Sequence, residues 1–279
     1  MNYRHIYHAG NFADVLKHAV LALIIKALQK KDAPFCYFDT HAGIGRYDLH
    51  HEAAQKTGEY RTGIARLWNN VAAPPAVAGY LAAVRALNAG THLRYYPGSP
   101  RVARHLLRPQ DRMVLFELHP EEVAMLRHEF SGDRQVAVHE QDGYAGLKGF
   151  LPPPEKRGVV LVDPPYEQRD EYDRVISGLK TAHERWAGGV LAIWYPIKDR
   201  PTVERFHRRL VATGIHKILL AELSVYPLDN AFRLNGCGMA IINPPWQLDN
   251  ALKTLLPELL SALRVDDPGR ARVEWLVPE

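Results

Sequence analysis

The sequence contains little cysteine, no long apolar run and no strong excess of one charge. Its two cysteines, Cys36 and Cys237, lie far apart with no second cysteine or histidine at metal-ligand spacing nearby, which argues against a disulfide framework or a zinc site. No apolar stretch reaches the roughly 18 residues of a membrane-spanning helix, since the best candidate, Ala19–Leu28, is interrupted by Lys26. The first twenty residues lack the basic head and apolar block of a secretory signal. We therefore expect a cytoplasmic protein with no membrane segment and no metal.

The composition indicates a folded protein of ordinary charge. Of the 279 residues 47% are apolar, which is ample for the core of one large globular domain. The 35 lysines and arginines exceed the 31 aspartates and glutamates by only four. This balance permits an acidic partner without proving one, so the order of elements and the motifs must carry the functional argument.

Apolar strand patterns alternate with helical patterns along most of the chain. Such alternation predicts a doubly wound α/β fold with a largely parallel sheet. The last two strands follow each other with only a loop between them, which predicts an antiparallel hairpin at one edge of the sheet. The seven predicted strands are Pro34–Thr40, Arg112–Leu118, Gln135–His139, Gly158–Asp163, Val190–Tyr195, Lys217–Tyr226 and Met239–Asn243. The seven helices predicted to pack on this sheet are Ala13–Gln29, Pro100–Leu107, Pro120–Phe130, Tyr144–Leu151, Glu171–Trp186, Thr202–Thr213 and Leu248–Leu263.

One interval breaks this alternation, because three helical patterns lie between the first and second strands where one is needed. Glu59–Trp68 and Ala76–Leu87 are the surplus helices. The helix that belongs to the sheet follows them, with Ser99 as its predicted N-cap and Pro100 as its first residue. We therefore predict a main domain over residues 1–45 and 98–279 with an inserted helical subdomain over residues 46–97.

Polar residues follow four of the predicted strands, at the edge where open α/β sheets bind ligands. Asp39 begins a segment that ends in Gly43-Ile44-Gly45, and its glycines would let a ligand approach the backbone. Glu117 lies at the end of the second strand and suits the hydroxyls of a ribose, while Asp142 could accept from an adenine amino group. Because the glycines do not lead directly into a helix, a pyrophosphate cradle is poorly supported. S-adenosylmethionine fits better than a dinucleotide.

The segment Asp163-Pro164-Pro165-Tyr166 after the fourth strand is the most specific motif in the chain. Its prolines stiffen the loop and lack N–H groups, so carbonyl oxygens and one carboxylate are available as acceptors. The Asp163 carboxylate and the Pro164 carbonyl would hold the two N–H groups of an exocyclic amine, and Tyr166 would stack on the base. The structural alternative is a turn after a buried strand.

A second tetrad of the same form, Asn243-Pro244-Pro245-Trp246, follows the seventh strand. Its position decides against a catalytic role, since Asp163 follows the fourth strand beside the glycine loop whereas Asn243 lies toward the edge of the predicted sheet. We interpret the second tetrad as a turn that precedes the last predicted helix.

With these motifs the chain resembles the S-adenosylmethionine-dependent amino-methyltransferases, and more closely the J-type 23S ribosomal RNA adenine-N6 methyltransferases. The closer resemblance spans nearly the full length. It is carried by Tyr3-Arg4-His5, His8-Ala9-Gly10-Asn11, Asp14-Val15-Leu16-Lys17-His18, Asp39-Thr40-His41-Ala42-Gly43, Arg94-Tyr95-Tyr96-Pro97-Gly98-Ser99-Pro100, Glu117-Leu118-His119-Pro120 and the two Pro-Pro tetrads.

The resemblance implies a Rossmann-like class I fold with a helical insertion, and methylation of N6 of adenosine 2030 in 23S ribosomal RNA. Separately, we expect a monomer. It assigns catalysis to Asp163, Pro164 and Tyr166, and the RNA or target base to Tyr3, His5 and Lys17. It places seven residues around the cofactor: His18, His41, Ser99, Glu117, Asp142, Gly143 and Asp163.

Two other functions remain open at this point. A DNA adenine-N6 or cytosine-N4 methyltransferase would use the same tetrad geometry, although no long region resembles a DNA target-recognition domain. A catalytically silent RNA-binding module would keep the fold without the chemistry. The joint presence of Glu117, Asp142, Asp163 and Tyr166 favours an enzyme.

Overall fold

A computed structural model describes residues 4–68 and 75–279, and an eight-stranded sheet organises them. The strands of this part of the chain are β1 (Cys36–Asp39), β2 (Arg46–Asp48), β3 (Tyr95–Pro97), β4 (Arg112–Glu117), β5 (Val136–Glu140), β6 (Gly158–Val162), β7 (Val190–Ile197), β8 (Ile218–Ser224), β9 (Gly236–Ile242) and β10 (Arg270–Val277). The main sheet has the order β10-β8-β9-β7-β6-β1-β4-β5, and β2 pairs with β3 in a small sheet of its own.

Strand direction divides the main sheet into a parallel part and an antiparallel part. Strands β5, β4, β1, β6 and β7 are parallel neighbours, as the doubly wound prediction requires. Strand β9 runs antiparallel to both β7 and β8, and β10 runs antiparallel to β8. The carboxyl end of β9 therefore lies at the opposite edge of the sheet from the carboxyl ends of β1, β4, β6 and β7.

The predicted count of seven strands is wrong, because β10 adds an eighth. This strand is half exposed and carries charged residues at alternate positions, so it lacks the continuous apolar run that marks the buried strands. It covers β8, and the predicted β8–β9 hairpin therefore lies one strand in from the edge. The other seven strands are confirmed within a few residues of their predicted bounds.

Helices cover both faces of the sheet. The α-helices of the described residues are α1 (Phe12–Gln29), α2 (Glu52–Thr57), α3 (Ile64–Trp68), α4 (Ala78–Ala86), α5 (Ser99–Leu106), α6 (Pro120–Glu129), α7 (Gly143–Phe150), α8 (Glu171–Arg185), α9 (Arg200–Val211) and α10 (Leu248–Leu263). One apolar core lies between the sheet and helices α1, α5 and α10 on one face. A second lies between the sheet and helices α7, α8 and α9 on the other face. None of these helices is long and apolar enough to cross a membrane.

The start of α5 differs from the prediction. Gly98 is the N-cap, and Ser99 is the first helical residue. The Ser99 hydroxyl donates to the Asp39 carboxylate at 2.7 Å instead of accepting from the helix backbone. Ser99 lies inside the first turn and not before it, so its hydroxyl bonds to a buried carboxylate and Gly98 takes the N-cap position.

Residues 46–97 leave and rejoin the fold at one point, where Arg46 pairs with Pro97 and Gly98 N donates to the Gly45 carbonyl. Between these ends the described residues form α2, α3, α4 and two short 3-10 turns. The sequence predicted two longer helices in this interval. Helix α4 packs against α1 and α5, so its apolar residues join the first core. The division into a main domain and an inserted subdomain stays a prediction.

Candidate active site

A cavity of about 390 Å³ opens at the carboxyl ends of the parallel strands. It is bounded by the loops after β1, β4 and β6, the end of β7 and the first turns of α1. Nine of the predicted site residues line it: His5, Lys17, His18, His41, Ser99, Glu117, Asp163, Pro164 and Tyr166. The topology therefore brings residues from distant parts of the chain to one place.

A chain of charged groups runs along one wall of the cavity and ends at Asp163. Lys17 Nζ lies 2.5 Å from Asp163 Oδ2 and 2.8 Å from Asp14 Oδ1. The other Asp14 oxygen accepts from Gly10 N and lies 2.9 Å from His5 Nε2. A buried lysine therefore joins two carboxylates, one inside α1 and one at the end of β6.

These buried charges stabilise one another. Burial alone would favour the neutral form of Asp14, but the charges of His5 and Lys17 hold the pKa of its carboxyl well below the usual range. Burial likewise opposes the charge on Lys17, and Asp14 and Asp163 outweigh it, so the pKa of this ammonium lies well above its ordinary value. Lys17 is accordingly a fixed cation beside Asp163.

His18 is neutral and has one unused ring nitrogen. Its Nδ1 lies 2.8 Å from the Tyr96 hydroxyl, which in turn lies 3.0 Å from the Tyr80 hydroxyl. Burial, followed by the charge of Lys17, lowers the pKa of His18 well below its ordinary value. The other nitrogen, Nε2, is buried and has no hydrogen-bond partner among residues 4–68 and 75–279. This nitrogen is available to a ligand in the cavity that His18 lines.

The end of β1 presents a second buried carboxylate. Asp39 accepts from the hydroxyls of Tyr37 and Ser99 and from His41 N. Burial raises its pKa to about 6, although those three donors favour the charged form. The His41 ring contacts Thr40 Oγ1 at 2.8 Å, and burial lowers the pKa of this histidine. These bonds fix the loop that follows β1.

A hydrogen bond from a backbone N–H to a carboxylate joins the glycine loop to the end of β4. Gly43, at a φ of 60°, donates its N–H to Glu117 Oε2 at 2.8 Å, and any Cβ at this position would collide with the Tyr47 hydroxyl. The other oxygen of Glu117 accepts from Leu118 N and His119 N. Three backbone donors thus hold Glu117 at the cavity with acceptor capacity to spare.

Asp142 and Gly143 do not line the cavity. Asp142 caps α7 by accepting from Ala145 N, and its second oxygen pairs with Arg174 at 2.6 Å. Gly143 packs so closely on the Thr40 carbonyl that a Cβ would clash at 2.2 Å. Gly143 thus packs directly on the loop after β1, while Asp142 begins the helix that carries Gly143.

Tyr166 adopts an unusual backbone conformation at the cavity wall. Its φ is 52°, in the left-handed region that bulky side chains rarely enter. The hydroxyl donates to the Trp194 carbonyl at 2.8 Å, and the ring lies beside those of Tyr172 and Trp194. The end of β7 therefore fixes the orientation of this ring.

The second tetrad lies at the other edge of the sheet because β9 runs antiparallel to β7. Asn243 Nδ2 donates to the carbonyls of Ala187 and Gly189 in the turn before β7. Leu248 N, at the start of α10, donates to the Pro245 carbonyl. These contacts are those of a turn, as the sequence analysis predicted.

Comparison with known proteins decides the family. The family model described as "Ribosomal RNA large subunit methyltransferase D, RlmJ" matches residues 32–277. The chain belongs to this methyltransferase family. Proteins named "Ribosomal RNA large subunit methyltransferase J" from Escherichia coli and Haemophilus influenzae are 48% and 46% identical to it over the full length of each pair.

The family assignment confirms the resemblance read from the motifs, and it extends to the fold. A crystal structure of a Legionella pneumophila protein matches with a TM-score of 0.88 at 36% identity, covering 96% of this chain and 98% of that one. The Rossmann-like class I methyltransferase fold is thereby confirmed. Among residues 4–68 and 75–279, no group of three or more His, Cys, Asp or Glu is arranged to hold a metal ion.

Several residues at the cavity of this family member were missed from the sequence. Asp14 is the most important of them, and its signal was present: an acidic residue three positions before Lys17 in an otherwise apolar helix. Glu59 was not missed, since its place in the insertion suggests that it could touch RNA; it accepts from His8 Nδ1 and Asn11 Nδ2 and lines the cavity. Phe232 and Leu234 reach it from the β8–β9 loop. Tyr3 lies outside the described residues.

Proposed function

We propose that this protein methylates N6 of one adenosine of 23S ribosomal RNA, adenosine 2030 by resemblance to the J-type family, with S-adenosylmethionine as methyl donor. Family membership and the names of the two relatives support ribosomal RNA methylation. We further expect the enzyme to act as a monomer in the cytoplasm.

The observation that carries the chemistry is the placement of Asp163 at the cavity with Lys17 fixed on one oxygen. Lys17 occupies Oδ2, so Oδ1 of Asp163 remains to accept from an amine. The Pro164 carbonyl is the second acceptor in this assignment. Two acceptors turn the lone pair of an adenine amine away from the ring, which makes this poor nucleophile more reactive. Alignment of this kind contributes on the order of 7–11 kcal/mol in well-oriented reactions.

After the nitrogen gains a methyl group it must lose a proton, and Asp163 is the proposed acceptor. Lys17 keeps the carboxylate in place without competing as a base, because its own pKa is raised. Tyr166 is proposed to stack on the adenine, with its ring orientation fixed by the bond to the Trp194 carbonyl. Tyr3, His5 and Lys17 are proposed to approach the RNA or the target base.

The residues at the cavity fit S-adenosylmethionine, which when bound would supply an electrophilic methyl group on a sulfonium. The unpartnered His18 Nε2 and the spare acceptor capacity of Glu117 suit a ligand with both acceptor and hydroxyl groups. The carboxylates match its positive charge. We propose that the cofactor is held by His18, His41, Ser99, Glu117, Asp142, Gly143 and Asp163, with Asp142 and Gly143 acting through the loop after β1.

The test is transfer of labelled methyl from S-adenosylmethionine to protein-free 23S ribosomal RNA from a strain that lacks this gene, followed by nucleoside mass analysis. We expect N6-methyladenosine at a single site. Transfer to DNA but not to RNA would overturn the proposal in favour of a DNA adenine or cytosine amino-methyltransferase. Absence of cofactor binding by calorimetry would indicate a silent RNA-binding module.

A further inference from the structure

Two large side chains stand out as exposed in the described part of the chain, and they lie at opposite edges of the sheet. Phe232 is 98% exposed and Trp246 is 84% exposed. Phe232 lies on the loop between β8 and β9, at the rim of the cavity that contains Asp163. Trp246 belongs to the second tetrad, away from that cavity. An exposed aromatic ring on the rim of a site for a nucleobase is placed to stack on the RNA beside that site. The ring of Trp246 lies too far from the cavity to do so.

The loop that carries Phe232 is held firmly, so the ring is presented to solvent by a fixed support. Asn235, fully buried, donates through Nδ2 to the Lys198 and Asn230 carbonyls, and its N–H donates to the Ile197 carbonyl. Arg233 lies 4.1 Å above the centre of the Tyr226 ring. The loop is therefore anchored to the end of β7.

The same end of β7 also holds Tyr166, through the bond from its hydroxyl to the Trp194 carbonyl. The ring proposed to stack on the target adenine and the loop that carries Phe232 are thus both anchored to one strand. A base inside a stacked helix cannot reach Asp163 unless it leaves the stack. Nucleic-acid-binding proteins that unstack bases frequently insert an apolar side chain between base steps.

We propose that Phe232 occupies the place that the target adenosine leaves in the RNA stack. It thereby stabilises the RNA in the state in which the target base is extruded. This role rests on the proposed function and deepens it: the ligand of Phe232 is the nucleobase next to the target. Tyr166 binds the extruded base inside the cavity, while Phe232 stabilises the RNA outside it. Phe232 contacts substrate but takes no part in the transfer of the methyl group.

The experiment uses two RNA hairpins and three variants of the full chain. The first hairpin is the shortest piece of 23S ribosomal RNA that the wild-type enzyme methylates. The second is identical except for abasic sites on both sides of the target adenosine, so no stacked neighbour remains. The kcat/KM for methyl transfer and the RNA affinity are measured for Phe232→Ala, Phe232→Trp and, as the matched exposed aromatic control, Trp246→Ala.

We expect Phe232→Ala to lose about ten- to a hundred-fold in kcat/KM on the intact hairpin, the range of one base–aromatic stacking contact. On the abasic hairpin it should match the wild type, while Phe232→Trp and Trp246→Ala should match it on both. Equal activity of Phe232→Ala on the intact hairpin, or an equal loss on both hairpins, would overturn the inference. If the wild type transfers no methyl group to any 23S ribosomal RNA, the proposed function itself fails.

Discussion

The two Pro-Pro tetrads share one sequence pattern, but only the first lies at the cavity. The direction of the preceding strand explains the difference. Asp163 follows β6, which is parallel to its neighbours, so its carboxylate reaches the edge where the loops after β1 and β4 also end. Asn243 follows β9, which runs the other way. The motif proposed to bind a base therefore lines the cavity at one edge, and the motif at the other edge forms a turn.

The backbone of the two tetrads differs in the same sense. Asn243 has a φ of 51°, a conformation that asparagine tolerates well. In the first tetrad the left-handed residue is Tyr166, for which such a conformation costs about 1–3 kcal/mol. Of the two tetrads, the one at the cavity thus holds a bulky residue in a strained conformation, whereas the turn at Asn243 uses a residue suited to it.

Removal of the Asp163 carboxylate gives the largest expected effect on activity. Asp163→Ala should lower the single-turnover rate by about a thousand-fold, because the amine loses both an acceptor and a proton acceptor. Asn243→Ala should keep the wild-type rate. If Asp163→Ala retained more than a few per cent of activity while Asn243→Ala abolished it, the assignment of the two tetrads would be reversed.

Lys17→Met compares the two tetrads through the free energy of unfolding. The substitution leaves buried Asp14 with only His5 as an ionic partner and removes the cation beside Asp163, so the free energy of unfolding should fall by about 3 kcal/mol. Lys253→Met is the control, since its i,i+4 pair with Asp249 lies exposed on α10 near the second tetrad and should contribute at most about 0.5 kcal/mol. Urea unfolding measures both, and equal effects would contradict a buried ion pair at the cavity.

Asn243→Ala should lower stability rather than activity. It removes two donors to backbone carbonyls and places alanine in the left-handed region, at a combined cost of about 2 kcal/mol. Asn243→Gly, which has no Cβ to strain, should recover about half of that loss. Thermal unfolding distinguishes these cases, and an unchanged midpoint for Asn243→Ala would show that the turn does not depend on its amide.

Tyr166→Phe has the smallest expected effect, because it keeps the ring and removes only the bond to the Trp194 carbonyl. The loss of about 1 kcal/mol of orientation should lower kcat/KM roughly five-fold. Tyr166→Ala serves as the comparison and should lose considerably more through the missing ring. Equal effects of the two changes would assign the whole contribution to the hydroxyl and contradict the stacking role.

What the sequence predicted well follows from local patterns, and what it missed depends on distant partners. The buried strands and the place of Asp163 at the cavity were predictable, since apolar runs and the proline tetrad are local signals. The roles of Asp14 and Ser99 were not, because each depends on a partner brought close only by folding: Lys17 with Asp163 for the first, Asp39 for the second. The second tetrad was interpreted correctly as a turn, but only the topology supplies the decisive reason.

Strand β10, missed from the sequence because it is polar, affects how the molecules behave at high concentration. It forms one of the two open edges of the main sheet, where unpaired backbone groups could recruit a strand from another molecule and start aggregation. Arg270, Arg272 and Glu274 interrupt its apolar residues at every second position. The alternation that hid this strand from a pattern search thus also opposes the growth of the sheet from one molecule into the next.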